Sequence, residues 1–255
     1  MKKSVQIAKF TFQDALRNHA NYGVFAFLIF ILATATLLAT VTMGNTALMI
    51  SDIGLGSISI IANLIAIIIT IQSLQDEKNN RTLYILLTRL DHRWQYLTGK
   101  FLGLSAMLAI QVIVMFTILA AAILPFEQIQ WLSYWQACLT TILEITMLIA
   151  LAMLLSQSSS LFLAILFTFC IDVAGRFTFS IQQFGEQSGI ASLKFITTMI
   201  YYILPNFEAL NFRNDAAYIE QFPWSQLFQC TVYAVGESAF LLLFCIFIFS
   251  RRNLS

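Results

Sequence analysis

Gln75-Asp76-Glu77-Lys78-Asn79-Asn80-Arg81-Thr82-Leu83-Tyr84-Ile85-Leu86-Leu87-Thr88-Arg89-Leu90-Asp91-His92-Arg93-Trp94-Gln95-Tyr96-Leu97-Thr98-Gly99-Lys100 is a charged island between two apolar runs. It carries five of the chain's fourteen Lys and Arg residues. The flanking runs, about Ile53–Leu74 and Phe101–Leu124, are each long enough to cross a bilayer, which takes about 20 apolar residues in a helix. Lys and Arg gather in short loops on the cytoplasmic side of a membrane. The island therefore reads as a cytoplasmic handle between two spans.

Composition extends that reading to the whole chain. Of 255 residues 59% are hydrophobic and 11% are charged, and the mean hydropathy is +0.79. Soluble domains carry about 25% charged residues, so this chain has too few charges to cover a water-facing surface. Lipid is the solvent that fits. Three prolines leave room for long helices, and a net charge of +1 points to no nucleic-acid partner. The four cysteines, Cys138, Cys170, Cys230 and Cys245, lie in or beside apolar runs without metal-ligand spacing. They read as small buried hydrophobes.

Besides the two runs beside the island, Tyr22–Val41, Tyr134–Leu155 and Leu227–Phe249 satisfy the length rule. A sixth, Leu161–Phe179, does so apart from Asp172 and Arg176. Placing the N-terminus in the cytoplasm puts eleven of fourteen basic residues on that side: Lys2, Lys3, Lys9, Arg17, the five of the island, Arg251 and Arg252. The outer segments then hold Asp52, Glu127, Glu186, Glu208, Asp215 and Glu220. The opposite topology reverses this bias and is rejected.

Two further segments complete the layout. Val5, Ala8, Phe12, Ala15 and Leu16 recur at helical spacing against Lys2, Lys9, Gln13, Asp14 and Arg17, which predicts an interfacial helix over residues 1–20. The alternative is a polar tail that happens to be helical. Ile190–Leu204, at fifteen residues, is short for a span. It is expected to be a re-entrant or interfacial helix within an outer segment, 180–226, and to end before Pro205. The fold class is thus an all-α integral membrane protein of six transmembrane helices.

Sites of chemistry are sparse. His19 and His92 fall on separate segments, so the residues predict no catalytic centre and no metal site. Gly99-Lys100 matches the end of a phosphate-binding loop, but Phe101 stands where Ser or Thr is needed and position 94 is Trp, not Gly. No nucleotide site is expected on this chain. Glu144, Asp172 and Glu237 are carboxylates at membrane depth, where a charge costs at least ~2.5 kcal/mol, so each should face protein or a wet cavity. Asp172 and Arg176, four apart, are expected to pair. This polar set is either the lining of a substrate path or glue between helices. Gly99-x-x-x-Gly103 permits close helix approach, and Gly54, Gly56, Ser59, Ala62, Asn63 and Ala66 give the second span a small-residue face.

Three stretches resemble the ABC-2 type permease, the membrane subunit of one class of ABC exporters. Glu77, Arg81-Thr82-Leu83, Leu86-Leu87-Thr88, Arg93 and Gly99-Lys100 are similar to the family's E…GTL…LLS-x-P…R…GK stretch. Arg81 and Leu90 depart from it, standing at the family's Gly and Pro. Leu204-Pro205-Asn206 is similar to the LPN segment before the last span, and Phe249-Ser250-Arg251-Arg252-Asn253-Leu254 to the family's F-x-R-R-D-L ending.

The resemblance implies a single transmembrane domain over 1–255, sited in a bacterial cytoplasmic (inner) membrane with both termini in the cytoplasm. It implies a partner ABC ATPase that carries ATP and Mg, and a second permease copy or related permease. The activity implied is export by alternating access. Segment 75–100 then becomes the ATPase-coupling element, with Glu77, Arg81, Thr82, Leu83, Leu86, Leu87 and Arg93 as its contact residues. A short coupling helix is expected over Asn80–Thr88, steadied by a local Glu77–Arg81 pair. Two other classes stand beside this one: an ion-coupled secondary transporter using the intramembrane carboxylates, and a membrane scaffold without transport.

Overall fold

The computed structural model describes residues 2–17, 20–41, 46–80, 94–124, 131–212 and 223–251. Among them all regular structure is helical: α1 Lys2–Arg17, α2 Ala20–Val41, α3 Thr46–Asn79, α4 Trp94–Ile123, α5 Trp131–Ser158, α6 Leu161–Arg176, α7 Thr178–Gln187, α8 Ala191–Ile203 and α9 Trp224–Arg251. A 3-10 turn, Glu208–Leu210, lies between α8 and α9. The two described prolines, Pro205 and Pro223, punctuate these helices without entering them. Pro205 comes just after the end of α8, and Pro223 directly before α9. A ring that removes the N–H and crowds the preceding residue is tolerated there and not in a helix interior.

Four helices are long and apolar enough to span a membrane: Leu48–Asn79 of α3, α4, α5 and α9. Joining α6 and α7 across their 52° bend gives a fifth. α2 runs over 22 residues, Ala20–Val41, and Gly23–Leu37 is the part of it whose side chains are described. The described residues thus support four to five spans by length and composition, against the six expected. The boundaries also move. The 34 residues of α3 measure about 51 Å at 1.5 Å per residue, so the helix runs well past a hydrocarbon core of about 30 Å.

The core lies between α3, α4 and α5, with α9 laid along α5. Ser59, Ala62, Asn63 and Ala66 of α3 are all buried, so the small-residue face is a packing face. Gly54 admits the Leu119 side chain of α4, to within 2.3 Å of where a Cβ would stand. Cys138 and Cys245 are buried as expected, but Cys170 is exposed and Cys230 only half-buried.

The partner of Gly99 and Gly103 is α1. A Cβ at Gly99 would fall 2.7 Å from the Ser4 carbonyl oxygen, and one at Gly103 2.6 Å from that of Ala8. The two contacts share one offset, so α1 runs alongside α4 in the same direction. Its inner face is Ser4, Thr11 and Ala15, with Ile7, Ala8 and Phe12 partly covered, while Val5 and Leu16 are exposed. The expected apolar face is therefore divided between bundle and exterior, because backbone proximity at the two glycines selects the small side chains.

The expected span Leu161–Phe179 ends early. Phe177 N–H donates to the Ala174 carbonyl at 3.1 Å, a one-residue-shorter bond that tightens the last turn of α6. Gly175 is pressed against the returning chain: a Cβ there would lie 2.5 Å from both the Pro205 carbonyl oxygen and the Phe207 ring. Between these points α7 and α8 form a helical hairpin through Gly189, whose φ of 68° suits glycine. Gly185 fits against Thr197 at the contact of the two helices. The hairpin leaves the bundle at Phe177 and rejoins it at Pro205. α8 matches the expected segment, and Leu204 is extended ahead of Pro205. α7 was not foreseen.

Candidate functional site

Among the described residues two clusters of buried charged groups interrupt the apolar interior. The first sits halfway along α3 and α5. Glu144 is fully buried, and its Oε1 accepts from Arg176 Nη2 at 2.5 Å and from Asn63 Nδ2 at 3.0 Å. Arg176 Nη2 also lies 3.5 Å from Asp172 Oδ1 and 3.4 Å from Ser59 Oγ. One guanidinium thus ties α3, α5 and α6 together. The expected Asp172–Arg176 pair is present, but the shorter contact is to Glu144. That partnership was available in the sequence. α5 and α6 form a tight hairpin at Ser159-Ser160, with Glu144 fourteen residues before Ser158 and Arg176 fifteen after Leu161. Equal distance from the turn puts them at one height. Asn63 was read only as a small residue, and its amide role was missed.

Glu237 is not drawn into this cluster. It is half-buried on α9, and no hydrogen bond or ion pair reaches it among the described residues. Within the cluster, Arg176 keeps 23% of its side chain exposed, whereas Glu144 shows none. Arg176 is thus the most exposed of the cluster's three charged side chains, Asp172 keeping 7%.

The second cluster lies where α3 ends and α4 begins. Lys100 is fully buried, with Nζ 2.7 Å from Glu77 Oε1 and donating to the Ser73 carbonyl at 2.7 Å. The Tyr96 hydroxyl donates to Glu77 Oε2, and the Tyr96 ring stacks on Phe249 of α9 with centroids 6.1 Å apart. Gln75 Nε2 donates to the carbonyls of Ser156 and Ser159 at 3.1 and 3.0 Å, capping the end of α5. Gly99 and Lys100 are therefore helical residues committed to packing and pairing, a geometry unlike a phosphate cradle. Glu77 was expected to meet Arg81; its described partners are Lys100 and Tyr96. Arg81, Thr82, Leu83, Leu86, Leu87 and Arg93, with most of the expected coupling helix, lie outside the described residues.

A family model for ABC-2 family transporter proteins matches residues 5–254. The chain belongs to the ABC-2 transporter family. No curated protein matches it. Membership, with four to five membrane-length apolar helices, makes this a multi-pass membrane protein of the transporter class. ABC-2 permeases are membrane subunits, generally without a catalytic site of their own, that typically work with an ATPase subunit. In this ABC-2 permease both polar clusters lie at helix contacts, and the second closes the two helix ends from which the charged island emerges.

Proposed function

We propose that this chain is the permease half of an ATP-driven exporter in a bacterial cytoplasmic membrane. Two copies, or one copy with a related permease, enclose the path, and separate ATPase subunits bind ATP and Mg and drive alternating access. The observation that carries the reading is the family match over nearly the whole chain, joined to a basic island at the mouth of α3 and α4. With α2 counted as a crossing, the chain makes six spans and keeps both termini and the island in the cytoplasm, in line with the Lys and Arg bias.

The island docks on the ATPase. Thr82, Leu83, Leu86 and Leu87 supply an apolar face at helical spacing, and Arg81 and Arg93 meet acidic groups around it. Leu83→Asp and Leu86→Asp test this. Both variants are expected to insert normally and to lose the ATPase on co-purification. Retention of the ATPase by both removes the docking assignment and leaves the island as an anchor to anionic lipid.

A further inference from the structure

Tyr96 joins three parts of the molecule. Its hydroxyl donates to Glu77 at the end of α3, its ring stacks on Phe249 near the end of α9, and Lys100 Nζ stands 5.8 Å from its centroid. It is 1% exposed, and Phe249 is 3% exposed. Contact between α4 and α9 is otherwise slight, since α9 packs chiefly along α5. We propose that Tyr96 is a positioning residue that locks the two helix ends beside the island to the end of α9, so that a displacement delivered there moves all three helices as one body. This rests on the ATPase-driven reading above.

The chemistry favours a fixed joint over a sliding contact. Lys100 is wholly buried, and an unpaired buried charge is costly, so Glu77 cannot leave without stranding it. Both Glu77 oxygens are engaged, one by the ammonium and one by the phenol, which fixes the Tyr96 ring plane against Phe249. Gln75 extends the same joint to the turn between α5 and α6. At the far side of the molecule, by contrast, the α7–α8 hairpin packs mainly on itself. The buried ion pair, the ring stack and the Gln75 bonds thus meet at one end of the described bundle, where α3 ends and α4 begins.

The test uses Tyr96→Phe, which keeps the ring and removes the link to Glu77. Spin labels are placed at the exposed positions Asn79 and Ser250 after replacing the four native cysteines, and their separation is measured by pulsed electron resonance. In the otherwise unaltered background we expect one narrow distance, unchanged when the ATPase complex is trapped with ATP and vanadate. In Tyr96→Phe the distribution should broaden in the permease alone and shift on trapping. ATP turnover should fall about tenfold with the ATPase still bound, the order expected for one hydrogen bond to a charged group. A Tyr96→Phe protein with the same narrow distance, or with unaltered turnover, overturns the proposal, as does a background distance that changes on trapping. The width in the permease alone requires no ATPase. A sound joint on a chain that binds no ATPase would therefore keep the lock, sink its role in coupling, and expose the functional reading as the part that failed.

Discussion

Arg176 serves three helices from a single guanidinium, and the cost of losing it can be stated. Arg176→Met leaves Glu144 fully buried without its cation, a loss of about 3–5 kcal/mol for a broken buried pair. Adding Glu144→Gln and Asp172→Asn removes the stranded charges, so the triple variant should recover much of the folded yield and thermal midpoint in detergent. Equal losses in the single and triple variants would show that these groups do not act together. Glu237 gives the contrast. Half-buried and without a hydrogen bond or ion pair among the described residues, it should accept Glu237→Gln without loss of stability, since the change strands no partner and removes a charge from membrane depth. A loss as large as that of Arg176→Met would reveal a partner outside the described residues. The same measurement, unfolding in a fixed detergent, serves both positions.

At the scale of elements, α1 depends on two missing side chains. Gly103→Val would drive a branched carbon into the Ala8 carbonyl, and overpacking of this kind costs about 1–3 kcal/mol. The expected outcome is a displaced α1: a cysteine at Thr11, now 4% exposed, should react with a thiol reagent several-fold faster in the Gly103→Val background. Unchanged reactivity would mean that α1 is held elsewhere. This contact shows how far the sequence could be read. The small residues announced a close approach, but spacing on α4 cannot say which helix arrives, because every helix in such a chain has small residues to offer. The long helices were legible because uninterrupted apolar runs need no tertiary partner to be recognised. The α6–α7 break was not. It coincides with the close approach of Pro205 and Phe207 to Gly175, a contact between residues about thirty positions apart that leaves no local signal. Asp172 with Arg176 could be paired from spacing alone, whereas Glu144 required the height match set by the α5–α6 turn.

At the scale of the whole molecule, the Lys and Arg bias predicts the orientation. Cysteines introduced at Asn79 and at Ser188, both outside the apolar core, should label from opposite sides with an impermeant thiol reagent. Position 79 should stay protected in intact cells and 188 react. Reaction at 79 from outside reverses the topology and removes the island from the ATPase's reach. The central claim is that this ABC-2 permease is powered by a separate ATPase. Its most direct test is purification of the tagged chain from native membranes in mild detergent, with partner identification and an ATP hydrolysis assay on the product. The account predicts co-purification of a chain bearing a phosphate-binding loop and vanadate-sensitive hydrolysis that disappears with Leu83→Asp. A chain that purifies without an ATPase and hydrolyses no ATP would contradict it.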